Sequence, residues 1–191
     1  ISITGTTQGT GSGNAVLFER SGWGAQAPIF NSTGSFTLRG NNRASTSNTS
    51  ASISSPSGFQ VKATGNISVL AETNNAAVNA IDFSSNAAGT WGTSLYGNVS
   101  LKSVNSSGTA SGNVLIQSNQ GGIYFNNQLP SNLTSGSLTS INDITGINIT
   151  IDNSGAGMTT GTGNTVGSGS IDAITGVITK GSGKSNSANS G

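Results

Sequence analysis

Catalysis by carboxylates is the first chemistry to look for in this chain, because it contains no histidine and no cysteine. Glycoside hydrolysis requires two carboxyl groups that face each other across a sugar. Asp143 and Asp152 are nine residues apart, a spacing that could place them on neighbouring strands, although two unrelated turn residues are the simpler interpretation. The six acidic residues are Glu19, Glu72, Asp82, Asp143, Asp152 and Asp172.

Nucleophilic catalysis by serine has no support, because no histidine is present to act as the general base. For calcium, the best candidates are Asp152 and Asn153 in the stretch "IDNSGAG". This stretch lacks the ligand spacing of an EF-hand loop, so a tight turn is preferred over a metal site. The sequence therefore predicts a protein that is not an enzyme and that needs no metal and no cofactor.

Two aromatic residues are candidates for contact with carbohydrate. Trp91 and Tyr96 lie in "NAAGTWGTSLYG", a segment that interrupts the pattern of the chain. Aromatic faces offer apolar area to the C–H groups of sugars. A role in the core, or as a cap on its end, remains the alternative for both residues.

Asparagine side chains offer candidate sites for glycan attachment. Seven Asn-x-Ser/Thr sequons occur in the chain, which is so rich in these residue types that several would arise by chance. The seven asparagines are Asn31, Asn48, Asn66, Asn98, Asn105, Asn132 and Asn148.

Charge is scarce, and this excludes several classes of partner. Charged residues make up 7% of the chain and the net charge is +1, so no basic patch for nucleic acid is expected. Arg39 and Arg43 are interpreted as an isolated surface pair. No apolar run approaches the roughly 20 residues that span a bilayer, so no membrane insertion is expected.

The first residues carry no export signal, so we expect a mature or excised fragment with any such signal upstream.

Short alternating apolar runs indicate the elements that must position these residues. Examples are "SFTLRG" at residue 35, "NISVLAE" at 66, "NVLIQSN" at 113 and "INITIDN" at 147. Each run is a few residues long and is bounded by Gly, Asn or Ser, which is typical of strands joined by turns. No window has the periodicity of a helix. The chain is therefore predicted to be all-β.

The spacing of these runs predicts a solenoid. Phe59 and Ile67 are eight residues apart, and Val99 and Val114 are fifteen apart. Coils of about 20 residues with two strands each would give this spacing, and the whole chain would then make roughly nine short coils of a parallel β-helix. Stacked Val, Ile, Leu and Phe would form a thin core, and Asn, Ser and Thr would form hydrogen-bonded ladders. An antiparallel β-sandwich is the alternative.

The same pattern predicts the domain organisation. Residues 1–179 are expected to form a single β-solenoid domain, with loop insertions near 39–58 and 86–97. Residues 180–191, "KGSGKSNSANSG", are expected to be a polar linker or tail.

Several segments of the chain resemble a known family of repeats. The stretches "GNISVLAE", "GNVSLKSV", "GNVLIQSN" and "GGIYFNN" are similar to repeat units of filamentous-haemagglutinin-like exoproteins, and the Asn/Ser/Thr-rich composition is similar to the high-molecular-weight adhesin branch. The resemblance covers residues 58–155 best. It implies a right-handed parallel β-helix, two-partner secretion, and adhesion to host cells or other bacteria. In the high-molecular-weight branch it also implies sugar on Asn-x-Ser/Thr sites.

These observations lead to a functional expectation. The chain is expected to be a non-enzymatic extracellular protein of the bacterial cell surface, the stalk or repeat region of an adhesin. Its partner would be a cell-surface glycan or protein receptor, or other copies of itself in a fibre. The alternative is a structural subunit of an extracellular filament or pilus, assembled by β-strand exchange through the N-terminal segment "ISITGTT".

Overall fold

The described part of the chain consists of strands and turns. The computed structural model describes residues 1–9, 13–19, 28–43, 49–55, 58–84, 99–126, 143–152, 158–160 and 173–180. Within these residues there are fourteen β-strands and no helix, which confirms the all-β prediction. The strands are β1 (Ser2–Thr7), β2 (Val16–Leu17), β3 (Ile29–Ser32), β4 (Phe36–Asn42), β5 (Ile53–Ser54), β6 (Phe59–Ala63), β7 (Ile67–Thr73), β8 (Asn79–Ser84), β9 (Val99–Ser103), β10 (Val114–Ser118), β11 (Gly122–Asn126), β12 (Asp143–Asp152), β13 (Met158–Thr160) and β14 (Ala173–Lys180).

The alternation in the sequence determines which side chains are buried. In β7, Ile67, Val69, Ala71 and Thr73 are buried, whereas the residues between them are partly exposed. Successive side chains of a strand point to opposite faces, so one face of each strand is apolar. Glycine permits the sharp turns between strands, as at Gly121, whose φ of 80° lies in the left-handed region.

Strand pairing is parallel throughout the described strands. Each of β1 to β8 pairs with the strand three places later in the chain, so β1 pairs with β4, β2 with β5, and β3 with β6. The pairs that follow are β4 with β7, β5 with β8, β6 with β9, β7 with β10 and β8 with β11. After these, β12 pairs with both β9 and β10, β13 with β11, and β14 with β12.

These pairings arrange the strands in three columns. Column A contains β1, β4, β7, β10 and the end of β12, and the end of β14 pairs with that part of β12. Column B contains β2, β5, β8, β11 and β13. Column C contains β3, β6, β9, the start of β12 and the start of β14. The chain thus visits columns A, B and C in turn before it returns to column A.

Strand β12 joins columns A and C into one strongly curled sheet. Its first residues, Asp143–Thr145, pair with β9, and its last residues, Ile149–Asp152, pair with β10. The register with β14 shifts between Thr145 and Asn148, where the strand passes from one column to the other. The main sheet therefore curls around the core instead of remaining an open layer.

The core lies inside the three columns and consists of stacked apolar side chains. In column A one row contains Leu38, Val69, Ile116 and Ile151, all at most 1% exposed. Column C contributes Val61, Leu101 and Ile144, and column B contributes Ile53, Ile81 and Ile123. Burial of each such side chain contributes about 1.5–3 kcal/mol, so the rows supply the main stabilisation.

Phenylalanine rings connect the columns at one end of this core. The ring centroids of Phe18 and Phe59 are 4.9 Å apart, and those of Phe59 and Phe83 are 5.5 Å apart. Phe30 lies 5.7 Å from Phe18 and 5.4 Å from Phe36. Because these rings come from all three columns, they fix the distances between the columns as well as filling the space.

The predicted coil length of about 20 residues, and with it the estimate of nine coils, is wrong. Equivalent positions in column A are 31 residues apart from Phe36 to Ile67, and 47 apart from Asn66 to Asn113. The reason is that each circuit contains three strands rather than two. Phe59 and Ile67, eight residues apart in the sequence, lie in columns C and A and are not equivalent positions.

The alternative prediction of an antiparallel sandwich does not fit the described strands. Every ladder between them is parallel, and the only antiparallel contact in this part of the chain is an isolated bridge between Val104 and Ala110. The N-terminal segment Ile1–Thr7 was considered for strand exchange with another copy. In the structure its strand β1 pairs with β4 of the same chain.

Part of the segment 39–58, predicted to be a loop insertion, lies in strands. Residues Arg39–Asn42 belong to β4 and Ile53–Ser54 form β5, so this segment is not one continuous loop. The second predicted insertion, 86–97, lies outside the described residues. Lys180 closes β14, and the remainder of the predicted tail, 181–191, also lies outside them.

Small residues occupy one row at the edge of column A. Gly5, Gly40, Ala71 and Ser118 are partners in the ladders of β1, β4, β7 and β10. A Cβ atom on Gly40 would lie 2.6 Å from the carbonyl oxygen of Ser52 and 2.6 Å from the side chain of Ile53. The close approach of column B therefore requires a residue without a side chain at this position.

We predict that Gly40→Ala destabilises the protein by about 1–3 kcal/mol, because the added methyl group overlaps the backbone of Ser52. Gly34→Ala is the matched control, since a Cβ atom there would meet no atom within 4 Å. Urea unfolding followed by circular dichroism measures both variants. Equal stability of the two variants would contradict the packing described for this row.

Candidate binding surface

A cavity of about 220 Å³ opens on the outer side of column A, between β4, β7 and β10. Its lining residues are Arg39, Leu70, Ala71, Glu72, Gln117, Ser118 and Asn119. Arg39, Leu70 and Gln117 are register partners on successive strands, so they form one row across the sheet. Neighbouring strands are about 4.8 Å apart, and this spacing sets the distance between successive groups in the row.

An ion pair between two strands forms one side of the cavity. Arg39 Nη1 donates a hydrogen bond to Glu72 Oε1 at 3.1 Å. Arg43 Nη2 lies 3.9 Å from the other carboxylate oxygen of Glu72. The two arginines interpreted as an isolated pair from the sequence therefore converge on one carboxylate. Because the Arg39 and Glu72 side chains are about 40% exposed, the pair adds at most about 1 kcal/mol of stability.

Amide side chains form the opposite side of the cavity. Gln117 Nε2 donates to Asp152 Oδ2 at 3.1 Å, which links β10 to β12. The Asn119 side chain is held in place by the backbone of Thr73, since Oδ1 accepts from the N–H group at 2.9 Å and Nδ2 donates to the carbonyl oxygen at 3.1 Å. The cavity thus combines a guanidinium, a carboxylate, two amides and the apolar Leu70 on rigid strands. Such a set can hydrogen-bond hydroxyl groups of a ligand.

The two residues considered for carboxylate catalysis are not carried by neighbouring strands. Asp143 and Asp152 lie at opposite ends of the same strand, β12, and not on neighbouring strands as predicted. The two residues pair with different columns, Asp143 opposite Ser100 and Asp152 opposite Gln117.

No cluster of acidic groups is present in the part of the chain that the structure describes. Within these residues no three carboxylates lie close enough together to hold a metal ion. Of the calcium candidates, Asp152 accepts the hydrogen bond from Gln117 and Asn153 lies outside the described residues.

Two of the sequon asparagines belong to a ladder that runs along column A. Asn66 Oδ1 accepts the backbone N–H of Asn113 at 2.9 Å. Asn148 Nδ2 donates to Asn113 Oδ1 at 2.9 Å. Each of the three residues immediately precedes a buried aliphatic residue of its strand, which places them at equivalent positions. The composition predicts ladders of Asn, Ser and Thr side chains, and at this corner one of the two bonds joins two asparagine side chains while the other joins a side chain to the backbone.

Asn105 has a different environment, in the turn after β9. Its Oδ1 accepts from Ser107 N at 3.1 Å, from Ser107 Oγ at 2.7 Å and from Thr109 N at 3.0 Å. The turn is closed by a bond from Asn105 N to the carbonyl oxygen of Thr109 at 2.9 Å, and it requires glycine at position 108, where φ is 82°. The sequon of Asn105 is therefore presented on a short turn and not within a ladder.

The other predicted site residues are placed as follows. Asn31 is exposed on β3. Asn48, Asn98, Asn132, Trp91 and Tyr96 all lie outside the described residues. None of the residues predicted as glycan-attachment or carbohydrate-contact sites lines the cavity. The sequence did not predict the cavity because two of its lining residues, Arg39 and Glu72, are 33 residues apart.

Comparison of the chain with models of known protein families, with curated proteins and with solved structures found no match. In the described residues there is no helix with the length and apolar character needed to cross a membrane.

We predict that an asparagine-directed glycosyltransferase supplied with a sugar nucleotide modifies Asn105 faster than Asn148. Asn148 must first release its Nδ2 donor from Asn113, and loss of one such bond corresponds to about a two- to tenfold rate difference. Peptide mapping by mass spectrometry measures occupancy at both sites. In urea the difference should disappear, and equal occupancy in the folded chain would contradict the prediction.

Proposed function

We propose that this chain is a parallel β-helix with three strands per coil, and that it serves as the stalk or repeat region of a non-enzymatic extracellular adhesin of the bacterial surface. The fold part of the proposal is supported by the pairing of each strand with the strand three places later. The three columns then correspond to the three faces of the helix. Circuits of 28 to 47 residues would form the coils, as from Ile53 to Ile81 and from Asn66 to Asn113.

Engineered disulfides test this fold directly, since the native chain has no cysteine. Thr37 and Ser68 are register partners in column A, and Gln60 and Ser100 are register partners in column C. Their Cα atoms are about 4.8 Å apart, within the range that a disulfide bridges. We therefore predict that both double cysteine variants oxidise to intramolecular disulfides without loss of strand content.

The matched control combines Thr37→Cys with Leu70→Cys. Leu70 lies two residues along β7 from Ser68, which is the register partner of Thr37. Its Cα atoms are beyond about 7 Å, so no bridge is expected without backbone movement. Non-reducing electrophoresis and intact mass distinguish the oxidised from the reduced chains. Efficient bridging of the control pair, or failure of the column A and column C pairs, would contradict the three-column arrangement.

The adhesive function is supported by the chemistry of the outer faces. One outer row of column A contains Thr37, Ser68, Leu115 and Thr150 as successive register partners. This row is regularly spaced and carries no charged side chain, so its three hydroxyl groups can form hydrogen bonds with little loss of side-chain entropy. The stacked core is occupied by apolar side chains, which leaves the outside as the surface available to partners.

The charged groups of the described residues favour a polar partner over nucleic acid. Lys62 and Lys102 are register partners on column C, whereas Arg39, Glu72 and Asp152 combine both signs on column A. The partner that we propose is a cell-surface glycan or protein receptor, in line with the resemblance of the repeat segments to filamentous-haemagglutinin-like exoproteins. The proposed location is the outside of the bacterial cell.

A glycan array probed with the labelled chain tests the function. We expect retention on a subset of glycans, with no release of sugar products. Arg39→Gln should weaken binding about ten- to hundredfold, because it removes a charged hydrogen-bond donor from the cavity. Lys62→Gln, an exposed substitution on column C, is the control and should leave the affinity unchanged.

Two outcomes would contradict the proposal. Absence of binding both to glycans and to host or bacterial cells would remove adhesion by this region. Turnover of any bound glycan would show that the protein is an enzyme. If the Arg39→Gln and Lys62→Gln variants lose the same amount of glycan affinity, the binding site is not the cavity, although adhesion itself remains supported.

A further inference from the structure

The cavity on column A has hydrogen-bonding groups that are not used within the part of the chain that the structure describes. Glu72 Oε1 accepts from Arg39, whereas Glu72 Oε2 lies 3.9 Å from Arg43 Nη2, beyond hydrogen-bond distance, and can accept from a ligand. Arg39 donates through Nη1, which leaves the N–H groups of Nη2 and Nε. Gln117 donates through Nε2, which leaves Oε1 as an acceptor. The cavity therefore offers donors and acceptors to the same ligand.

The charges around the cavity cancel. Arg39 and Arg43 both approach the carboxylate of Glu72, and Asp152 supplies a second negative charge beside Gln117. An anionic group of a ligand accepts hydrogen bonds and does not donate them, so it could not satisfy Glu72 Oε2 or Gln117 Oε1. Its charge would also be repelled by the carboxylate of Glu72. The cavity is therefore unfavourable for a carboxylate, a sulfate or a phosphate.

Hydroxyl groups match this set of side chains, because each hydroxyl both donates and accepts hydrogen bonds. One hydroxyl can donate to Glu72 Oε2 while its neighbour on the same ring accepts from Arg39. A third can donate to Gln117 Oε1. A site built to bind hydroxyl groups discriminates strongly against an analogue that leaves its polar groups unpaired.

An apolar side chain lies between the two polar sides of the cavity. Leu70 is the register partner of Arg39 on one neighbouring strand and of Gln117 on the other, and it is partly exposed. With strands about 4.8 Å apart, the Cα atoms of Arg39 and Gln117 are separated by about 10 Å across Leu70. An apolar surface flanked by a few polar groups suits a pyranose ring, which has a C–H face and hydroxyl groups around its rim.

The volume of the cavity limits the size of the ligand. It measures about 220 Å³, below the roughly 300 Å³ at which pockets for drug-sized ligands begin. We propose that the cavity binds one neutral pyranose unit of a glycan, with the C–H face on Leu70 and hydroxyl groups bonded to Arg39, Glu72 and Gln117. This inference rests on the adhesive function proposed above, and it adds that the receptor glycan carries no charge on the unit that is bound.

Matched sugars test the charge of the ligand. The methyl glycosides of glucose, galactose and mannose are compared with those of the three corresponding uronic acids, which carry a carboxylate in place of the CH₂OH group. Saturation-transfer NMR titrations of the full chain suit the roughly millimolar affinity expected for a single ring. At least one neutral glycoside should bind about tenfold or more tightly than its uronate. Its affinity should not change between about 0.1 and about 1 M sodium chloride, because no ligand charge is screened.

Glu72→Gln is the diagnostic variant, because it removes the negative charge and keeps a side chain of the same shape. The preference should reverse, since Arg39 can then form a charged hydrogen bond with the carboxylate of the uronate. Loss of structure would weaken both series and would not reverse their order. Lys62→Gln, an exposed substitution on column C, is the control and should keep the preference of the unmodified chain.

Leu70→Thr tests the apolar contact independently and keeps the proposal falsifiable if Glu72→Gln does not fold. It should weaken the binding of neutral glycosides about tenfold, because it removes most of the apolar surface between Arg39 and Gln117. Neutral binding that is unchanged in this variant would overturn the proposal, since the ring would then lie elsewhere.

The outcomes separate this inference from the proposed function. Tighter binding of the uronates by the unmodified chain would overturn the neutral ligand and leave adhesion through glycans supported. A chain that attaches to host or bacterial cells but binds none of the six glycosides would likewise overturn only this inference. Absence of both sugar binding and attachment to cells would remove the adhesive function and this inference with it.

Discussion

Hydrogen bonding between strands that are one circuit apart is the interaction on which every other feature depends. A single strand of five to seven residues buries two to four apolar side chains, too few to offset the entropy of ordering it. When β4, β7 and β10 stack in register, Leu38, Val69 and Ile116 form one continuous row that excludes water. The ladder supplies the alignment and the row supplies the free energy, so neither is stable without the other.

The positions of several strands and their buried faces could be predicted from the sequence. The number of residues in one circuit of the three columns could not. Alternation of apolar and polar residues identifies β6, β7, β9 and β10, and it identifies the buried face of each. The length of a circuit depends on the connections between columns, which vary, and short-range spacing contains no information about them. The useful signal was the recurrence of asparagine before an alternating pair, at Asn66, Asn113 and Asn148, which marks the same corner of three successive circuits.

The candidate binding surface was beyond the reach of sequence reasoning for the same reason. Arg39 and Glu72 meet only because their strands are neighbours in column A, and Gln117 joins them from the next circuit. Without the circuit length, each of these residues is an ordinary exposed side chain. Asp143 and Asp152 show the opposite error. Their spacing in the sequence suggested neighbouring strands, but they belong to the two ends of one strand that turns between columns.

The orientation of the ladders gives the molecule a direction-dependent mechanical response. Hydrogen bonds between parallel strands are slanted, but their main component lies across the strands, from one strand to the next in a column. A tensile force applied through the two ends of the stack would load these bonds one level after another, so the structure would open as a zipper at low force. Shear applied along the strands would load all the bonds of a ladder at once, as across the seven register pairs between β4 and β7, and would meet far greater resistance.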